Sequence, residues 1–148
     1  CFNLVACIMS KELLLELVEE DAAAFYPLSQ AYGIPKEDPT RDEQLEKCTK
    51  DALAGPLEMM RQIAKSIELL EEMNVKGSRM LISDVGCGAV AAEAAMKAAY
   101  LNVIINTRTL PENEEAILLE SNSEAMLDIW LPRAKAITDS VTESLRRK

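Results

Sequence analysis

Apolar residues recur three and four positions apart along most of this chain, the spacing of one face of a helix. Leu13, Leu14, Leu17, Val18 and Phe25 draw such a stripe over residues 10–31, with Ser10 placed to cap its start. Gly33, Pro35 and Pro39 interrupt the pattern and predict a loop over 32–39. Thr40 with Glu43 three residues later has the spacing of a capping box. It predicts a second helix carrying Leu45, Cys48, Ala52 and Leu53. Gly55-Pro56 then predicts a kink or a short break, because proline suits the first turn of a helix and disrupts its interior. From Pro56 to about residue 75 the stripe is Met59, Met60, Ile63, Ile67, Leu70 and Met73, and Gly77 is placed as its C-cap. Methionines at this spacing read as adaptable core.

Residues 80–82 are a brief apolar entry into the stretch that organises the rest, 83–106, SDVGCGAVAAEAAMKAAYLNVIIN. It holds seven alanines, and its helical part carries only the charges of Glu93 and Lys97. Alanine loses no side-chain entropy in a helix, and an alanine-rich surface lets neighbouring helices approach closely, so this helix is expected at the centre. Ser83 and Asp84 are suited to cap a helix beginning just after them. Residues 107–112 break the pattern. From about Pro111 a last helix is expected, acidic in its first turn, with Leu118, Leu119, Ala125, Ile129 and Trp130 on its apolar side. Pro132 is expected to bend or split it, with 134–145 continuing helically toward Arg146, Arg147 and Lys148. The expectation is an all-α, up-and-down bundle of five or six helices around a central Ala-rich helix, as a single domain over residues 1–148.

Composition agrees. Aromatic residues are 4% of a chain that is 49% hydrophobic, so the core must be aliphatic, which suits helices better than a sandwich. A formal charge of −9 argues against a nucleic-acid partner, while a small anion needs only a local basic pocket. There is no histidine, so proton transfer must use carboxylate, lysine, cysteine, tyrosine or water. The four cysteines, Cys1, Cys7, Cys48 and Cys87, show no CxxC spacing; they imply no metal site and read as reduced thiols of the cytoplasm. The apolar run 2–9 is too short to span a membrane and lacks a basic leader, so no membrane partner is expected.

Two places hold candidate chemistry. Asp21 follows Glu16, Glu19 and Glu20 and precedes three alanines. It is either the edge of a solvated acidic face or a partly buried acid/base. Asp84, Gly86, Cys87 and Gly88 form either a capped helix start with glycines for close packing, or a ligand site at free helix N–H groups. The glycine spacing is not a dinucleotide fingerprint, and Cys87 has no histidine to activate it. Asn102 and Asn106 lie one turn apart on one face and need partners if buried. The residues alone carry the reading as far as a soluble helical domain with a polar spot on its central helix.

The ordered set Glu20-Asp21-Ala22-Ala23-Ala24-Phe25, Ala31-Tyr32-Gly33-Ile34-Pro35-Lys36, Ala54-Gly55-Pro56-Leu57, SDVGCGAVAAEAA and AAYLNVIIN resembles the formimidoyltetrahydrofolate cyclodeaminase / methenyltetrahydrofolate cyclohydrolase family, from about residue 10 to the C-terminus. That family opens with a Pro-Gly-Gly-Gly-Ser loop and a small-residue helix. No such loop occurs here, so the expectation is that the N-terminal part of the domain is missing. The resemblance implies a folate substrate, conversion of 5-formimidoyltetrahydrofolate to 5,10-methenyltetrahydrofolate and ammonia, and no metal or redox cofactor. The alternatives are hydrolysis of the methenyl form to 10-formyltetrahydrofolate, or a non-catalytic helical interaction protein. It further implies Asp84 as the acid/base group with Asp21 second, Gly86 and Gly88 at the ligand, Asn102 and Asn106 orienting the pterin, and Lys97 or Arg108 meeting the glutamate tail. A homodimer or higher homo-oligomer is expected, both from the resemblance and from the apolar segment 1–9 and the flat alanine surface.

Overall fold

The computed structural model describes residues 2–110 and 114–146, with side chains from residue 11 onward. It consists of four long helices, α1 (Phe2–Tyr32), α2 (Arg41–Lys76), α3 (Ile82–Thr107) and α4 (Glu114–Leu145), with a single 3₁₀ turn at Arg79–Leu81 before α3. No strand occurs among the described residues. Consecutive helices are packed neighbours, and α2 also touches α4, so the all-α up-and-down expectation holds. Among the described residues α1 packs on α2 alone, without meeting α3 or α4.

Among the described residues the helix count is four rather than five or six because neither Gly55-Pro56 nor Pro132 splits its helix in two. α2 runs through Pro56 and α4 through Pro132. An interior proline removes one ladder bond and costs about 3 kcal/mol. In α2, the buried Leu53, Met60, Ile63, Ala64 and Ile67 dock the turns on both sides of the proline, and that packing keeps the helix unbroken. Residue 10 is inside α1 rather than at its start, and the expected start of the last helix at Pro111 lies outside the described residues, as do Cys1, Arg147 and Lys148. The side chains of the apolar segment 1–9, Cys7 included, are also outside them.

The caps differ too. Thr40 has helical backbone angles, and instead of closing a capping box it donates both its N–H (2.9 Å) and its hydroxyl (2.7 Å) to the Asp38 carboxylate. Those two bonds hold Asp38 below its ordinary carboxylate pKa. α3 begins at Ile82, two or three residues earlier than a helix capped by Ser83 or Asp84 would; Ser78 instead caps the 3₁₀ turn through the Met80 N–H. Gly77 does terminate α2, in an extended conformation with its N–H on the Met73 carbonyl at 2.8 Å, and a side chain there would collide with that carbonyl.

The core lies between α2, α3 and α4. Met60, Ile67, Met96 and Val103 are fully buried in it, with Ala89 and Ala134 where the helices press closest. The methionine stripe of α2 is core, as its spacing indicates. Stripes on the outer helices are rotated from expectation. Among the described side chains of α1 only Leu17, Leu28 and Ala31 are buried, while Val18 and Phe25 face outward, because α1 has one neighbour there and one narrow strip to cover. In α4 the buried strip is Ala116, Ser123, Ala134, Ile137 and Val141, leaving Leu118 and Ile129 exposed. Arg79–Thr107 is long and apolar enough, by length and composition, to cross a membrane; here it packs between α2 and α4.

Candidate active site

The gap between α1 and α3 is an open groove floored by α2. Its lower half is a cleft of about 470 Å³. From α1 come Asp21, Ala22, Phe25, Leu28 and Tyr32; from α2, Ala52 and Pro56; from α3, Asn102, Ile105 and Asn106. Each set follows helical spacing, so three separate helices turn one face each to the same space. The upper half is an apolar cleft of about 360 Å³, between Lys11 and Leu14 of α1 and Gly88, Ala91, Ala92 and Ala95 of α3, over Ile63, Leu70 and Met73 of α2.

Asp21 is half-buried, and among the described residues its carboxylate accepts no hydrogen bond and makes no ion pair. It rests on the bare backbone of Gly55, where a Cβ would come within 3.0 Å of its Oδ1. Asn102 donates from Nδ2 to the Ala98 carbonyl at 3.2 Å, which leaves its side-chain oxygen free to accept. Asn106 is half-buried, one turn further along the same wall. Below it the turn after α3 is held by polar bonds. The Thr109 hydroxyl donates to the Asn106 carbonyl at 2.8 Å, and the buried Thr107 hydroxyl bonds the Glu120 carboxylate of α4. The wall that presents the two amides is therefore anchored to α4 from behind.

Asp21, Asn102 and Asn106 are thus brought together. Asp84 is not with them. It stands exposed in the first turn of α3, on the same side of the helix as Asn102 but about five turns, or about 27 Å, away. Gly88 lines the apolar half of the groove and packs on Leu70; Gly86 faces the other way, onto Val141 of α4. Neither Lys97 nor Arg108 lines the cleft: Lys97 is turned away from the Asn102 and Asn106 face of α3, and Arg108 follows the helix as its C-cap. Lys97 is paired with Glu93 at 2.6 Å. Among the described residues no three His, Cys, Asp or Glu side chains gather where they could hold a metal ion. Sequence reasoning missed Phe25, Tyr32, Ala52 and Pro56. The signal was available: residues 21, 25, 28 and 32 share a helical face, and Pro56 stands out but reads as a kink or a short break.

The chain is similar in sequence and fold to known proteins. Residues 4–125 match the family described as formiminotransferase-cyclodeaminase. The chain is 30% identical over 142 residues to a methenyltetrahydrofolate cyclohydrolase of Methylorubrum extorquens, covering 93% of this chain and 66% of that protein. It is 31% identical over 130 residues to the formimidoyltransferase-cyclodeaminase of Sus scrofa, covering 85% of this chain and 24% of that one. The fold superposes on the crystal structure of formiminotetrahydrofolate cyclodeaminase from Thermotoga maritima with a TM-score of 0.73 at 21% identity, over 90% of this chain and 66% of that one. The chain therefore spans about two thirds or less of the length of these relatives.

Proposed function

This chain belongs to the formiminotransferase-cyclodeaminase family, and we propose that it is an enzyme of folate one-carbon metabolism that converts 5-formimidoyltetrahydrofolate to 5,10-methenyltetrahydrofolate and ammonia. The observation that carries this reading is the convergence of an unpartnered carboxylate, Asp21, and two amides, Asn102 and Asn106, in one cleft from different helices. In the reaction N10 of the folate attacks the formimidoyl carbon and forms a tetrahedral carbon between two ring nitrogens and an amine. The N10 proton must leave, and the amine must be protonated before it departs as ammonia. Asp21 can do both in turn, accepting the first proton and returning one to the amine. The Asn side chains, each with a donor and an acceptor, hold the pterin edge, and the apolar half of the groove receives the benzoyl ring.

A second reading has its own support. The relative covered over 93% of this chain is a methenyltetrahydrofolate cyclohydrolase, in which water adds to the same carbon and the ring opens to the 10-formyl form. The same carboxylate would then activate the water. One experiment separates the readings. Purified protein is given each folate, and the absorbance of the methenyl form is followed. A rise with the formimidoyl substrate supports the cyclodeaminase, loss of methenyl absorbance supports the cyclohydrolase, and no change with either leaves a non-catalytic helical interaction protein.

The protein acts as a homodimer or higher homo-oligomer in the cytoplasm. Val90 and Leu101 on α3 and Ile117, Leu118 and Ile129 on α4 are each more than half exposed, and a second copy would cover such surface. Sedimentation at micromolar concentration should show no monomer. The thiols of Cys48 and Cys87 are free, which suits a reducing compartment.

A further inference from the structure

We propose that Pro56 is itself part of the substrate site. It releases the carbonyl oxygen of Ala52 from the helix ladder, and that oxygen accepts a hydrogen bond from the 2-amino group of the folate. The inference rests on the folate reading above and adds to it a backbone acceptor that no side chain supplies.

In α2 the N–H of residue 56 would ordinarily bond the carbonyl of residue 52, and proline has no N–H to offer. A helical carbonyl points along the axis toward the residue four positions on. Ala52 and Pro56 both line the cleft, so the released oxygen lies on the strip between them, at the cleft floor. The other interior prolines make an instructive contrast. Pro27 and Pro132 are exposed, and the carbonyls they release belong to Ala23 and Asp128, exposed residues where water supplies a donor. Pro56 is buried, and Ala52 is only 6% exposed, with the cleft as its open side. Buried backbone acceptors are almost always paired, so a donor has to come from within the cleft.

The folate pyrimidine offers a matching edge. Its 2-amino group and ring N3–H are adjacent donors, followed by a carbonyl acceptor. The Ala52 oxygen takes the first donor. An Asn amide, with one acceptor and one donor, takes the other two. Gly55, just before the proline, lets Asp21 of α1 come down to the same floor without a Cβ in its way. The Gly55-Pro56 step thereby sets both the carboxylate and the carbonyl.

The test uses the full chain and two probes, 5-formyltetrahydrofolate and its analogue with a methyl group in place of the 2-amino group. Affinities are measured for the wild type, Pro56→Ala and Pro56→Val, since any residue with an N–H restores the ladder bond and withdraws the carbonyl. The expected result is a loss of about three- to tenfold for the amino-bearing folate in both variants, the size of one neutral hydrogen bond, with no loss for the methyl analogue. Unchanged affinity for the amino-bearing folate, or a parallel loss for both probes, overturns the assignment. A wild type that binds neither probe overturns the folate reading, and this inference falls with it.

Discussion

The two ends of α3 differ in what their polar and small residues do. At the N-terminal end Gly86 lies under Val141 of α4, and Gly88 under Leu70 of α2. Close by, Arg133 of α4 grips Glu71 of α2 with two bonds, at 2.8 Å and 2.5 Å, and stacks on Trp130, while Asn74 donates to Ser140 at 3.2 Å. At the C-terminal end Asn102 and Asn106 face a space that no helix fills, opposite Asp21. A glycine in a helix makes room, and either a neighbouring helix or a ligand can take it. Here α4 takes the space at Gly86, while Gly88 packs on Leu70 and lines only the apolar half of the groove, so the polar part of the ligand reading passes to the end where the two amides face Asp21.

The largest effect should come from the open end. Asp21→Asn keeps the shape of the side chain and removes its base strength. With no partner to lose in the protein, its melting temperature should stay near wild type. Turnover of the folate substrate should fall about 10²–10⁴-fold, the usual range for a general acid/base, or about 3–5 kcal/mol in the barrier. Full turnover in this variant would break the comparison at once.

Next in size is a change at the packed end. A Cβ on Gly86 would sit 2.9 Å from Val141 Cγ1 and 3.3 Å from its Cβ. Overpacking of this kind costs about 1–3 kcal/mol, and the better helix propensity of alanine returns up to about 1 kcal/mol. Gly86→Ala should therefore lose about 1–2 kcal/mol in denaturant unfolding and keep its turnover. Adding Val141→Ala removes the obstructing methyls, so the double variant should lose less than the two single changes summed. A stable Gly86→Ala protein without turnover would instead mean that a ligand uses that space.

The sequence made the helices legible because long stretches of 3.6-residue periodicity admit little else, and it made the amide pair legible because Asn102 and Asn106 stand one turn apart. It left the site assignment open because facing requires knowing which helix sits where. Asp84 and Asp21 look alike as isolated carboxylates beside small residues. Only the packing of α1 on α2, apart from α3, separates them. The prolines misled for a related reason. Local propensity at Gly55-Pro56 favours a break, and the tertiary contacts of Leu53, Met60 and Ile63 on either side override it. The rotation of the α1 and α4 stripes was hidden in the same way, since the number of neighbours decides how wide a strip is covered.

A smaller effect separates the ends by pH. Hydrogen bonds from Arg133, helped by its charge and opposed by partial burial, hold the Glu71 carboxyl below its ordinary value of 4.5. A depressed carboxyl contributes stability above its unfolded value and loses it as pH falls through the folded one. The pair is about one third exposed, so its contribution at neutral pH is at most about 1 kcal/mol. Glu71→Gln should melt below wild type at pH 7, with the difference closing below pH 4.5. A difference that is independent of pH would show that the clamp works through packing on Trp130 rather than through charge.

The smallest effect is expected at Asp84, and it decides which end of α3 does the chemistry. Asp84 sits exposed in the first turn of α3 with no side-chain cap bond at that terminus, so its contribution to folding is its charge near the helix N-terminus. Such a charge is worth about 0.3–1 kcal/mol, screened by salt. Asp84→Asn should therefore cost no more than that, and the difference should shrink as salt is added. Turnover should not change, because about 27 Å of helix separates this carboxylate from Asn102 within one subunit. The alternative is specific. If Asp84→Asn loses turnover as Asp21→Asn does, both carboxylates serve one reaction, and only a second copy can bring them together. Co-expressing the two variants would then restore activity, since a mixed oligomer would hold one intact pair. Without such restoration, a dead Asp84→Asn enzyme places the site at the N-terminal end of α3 and removes the cleft from the mechanism.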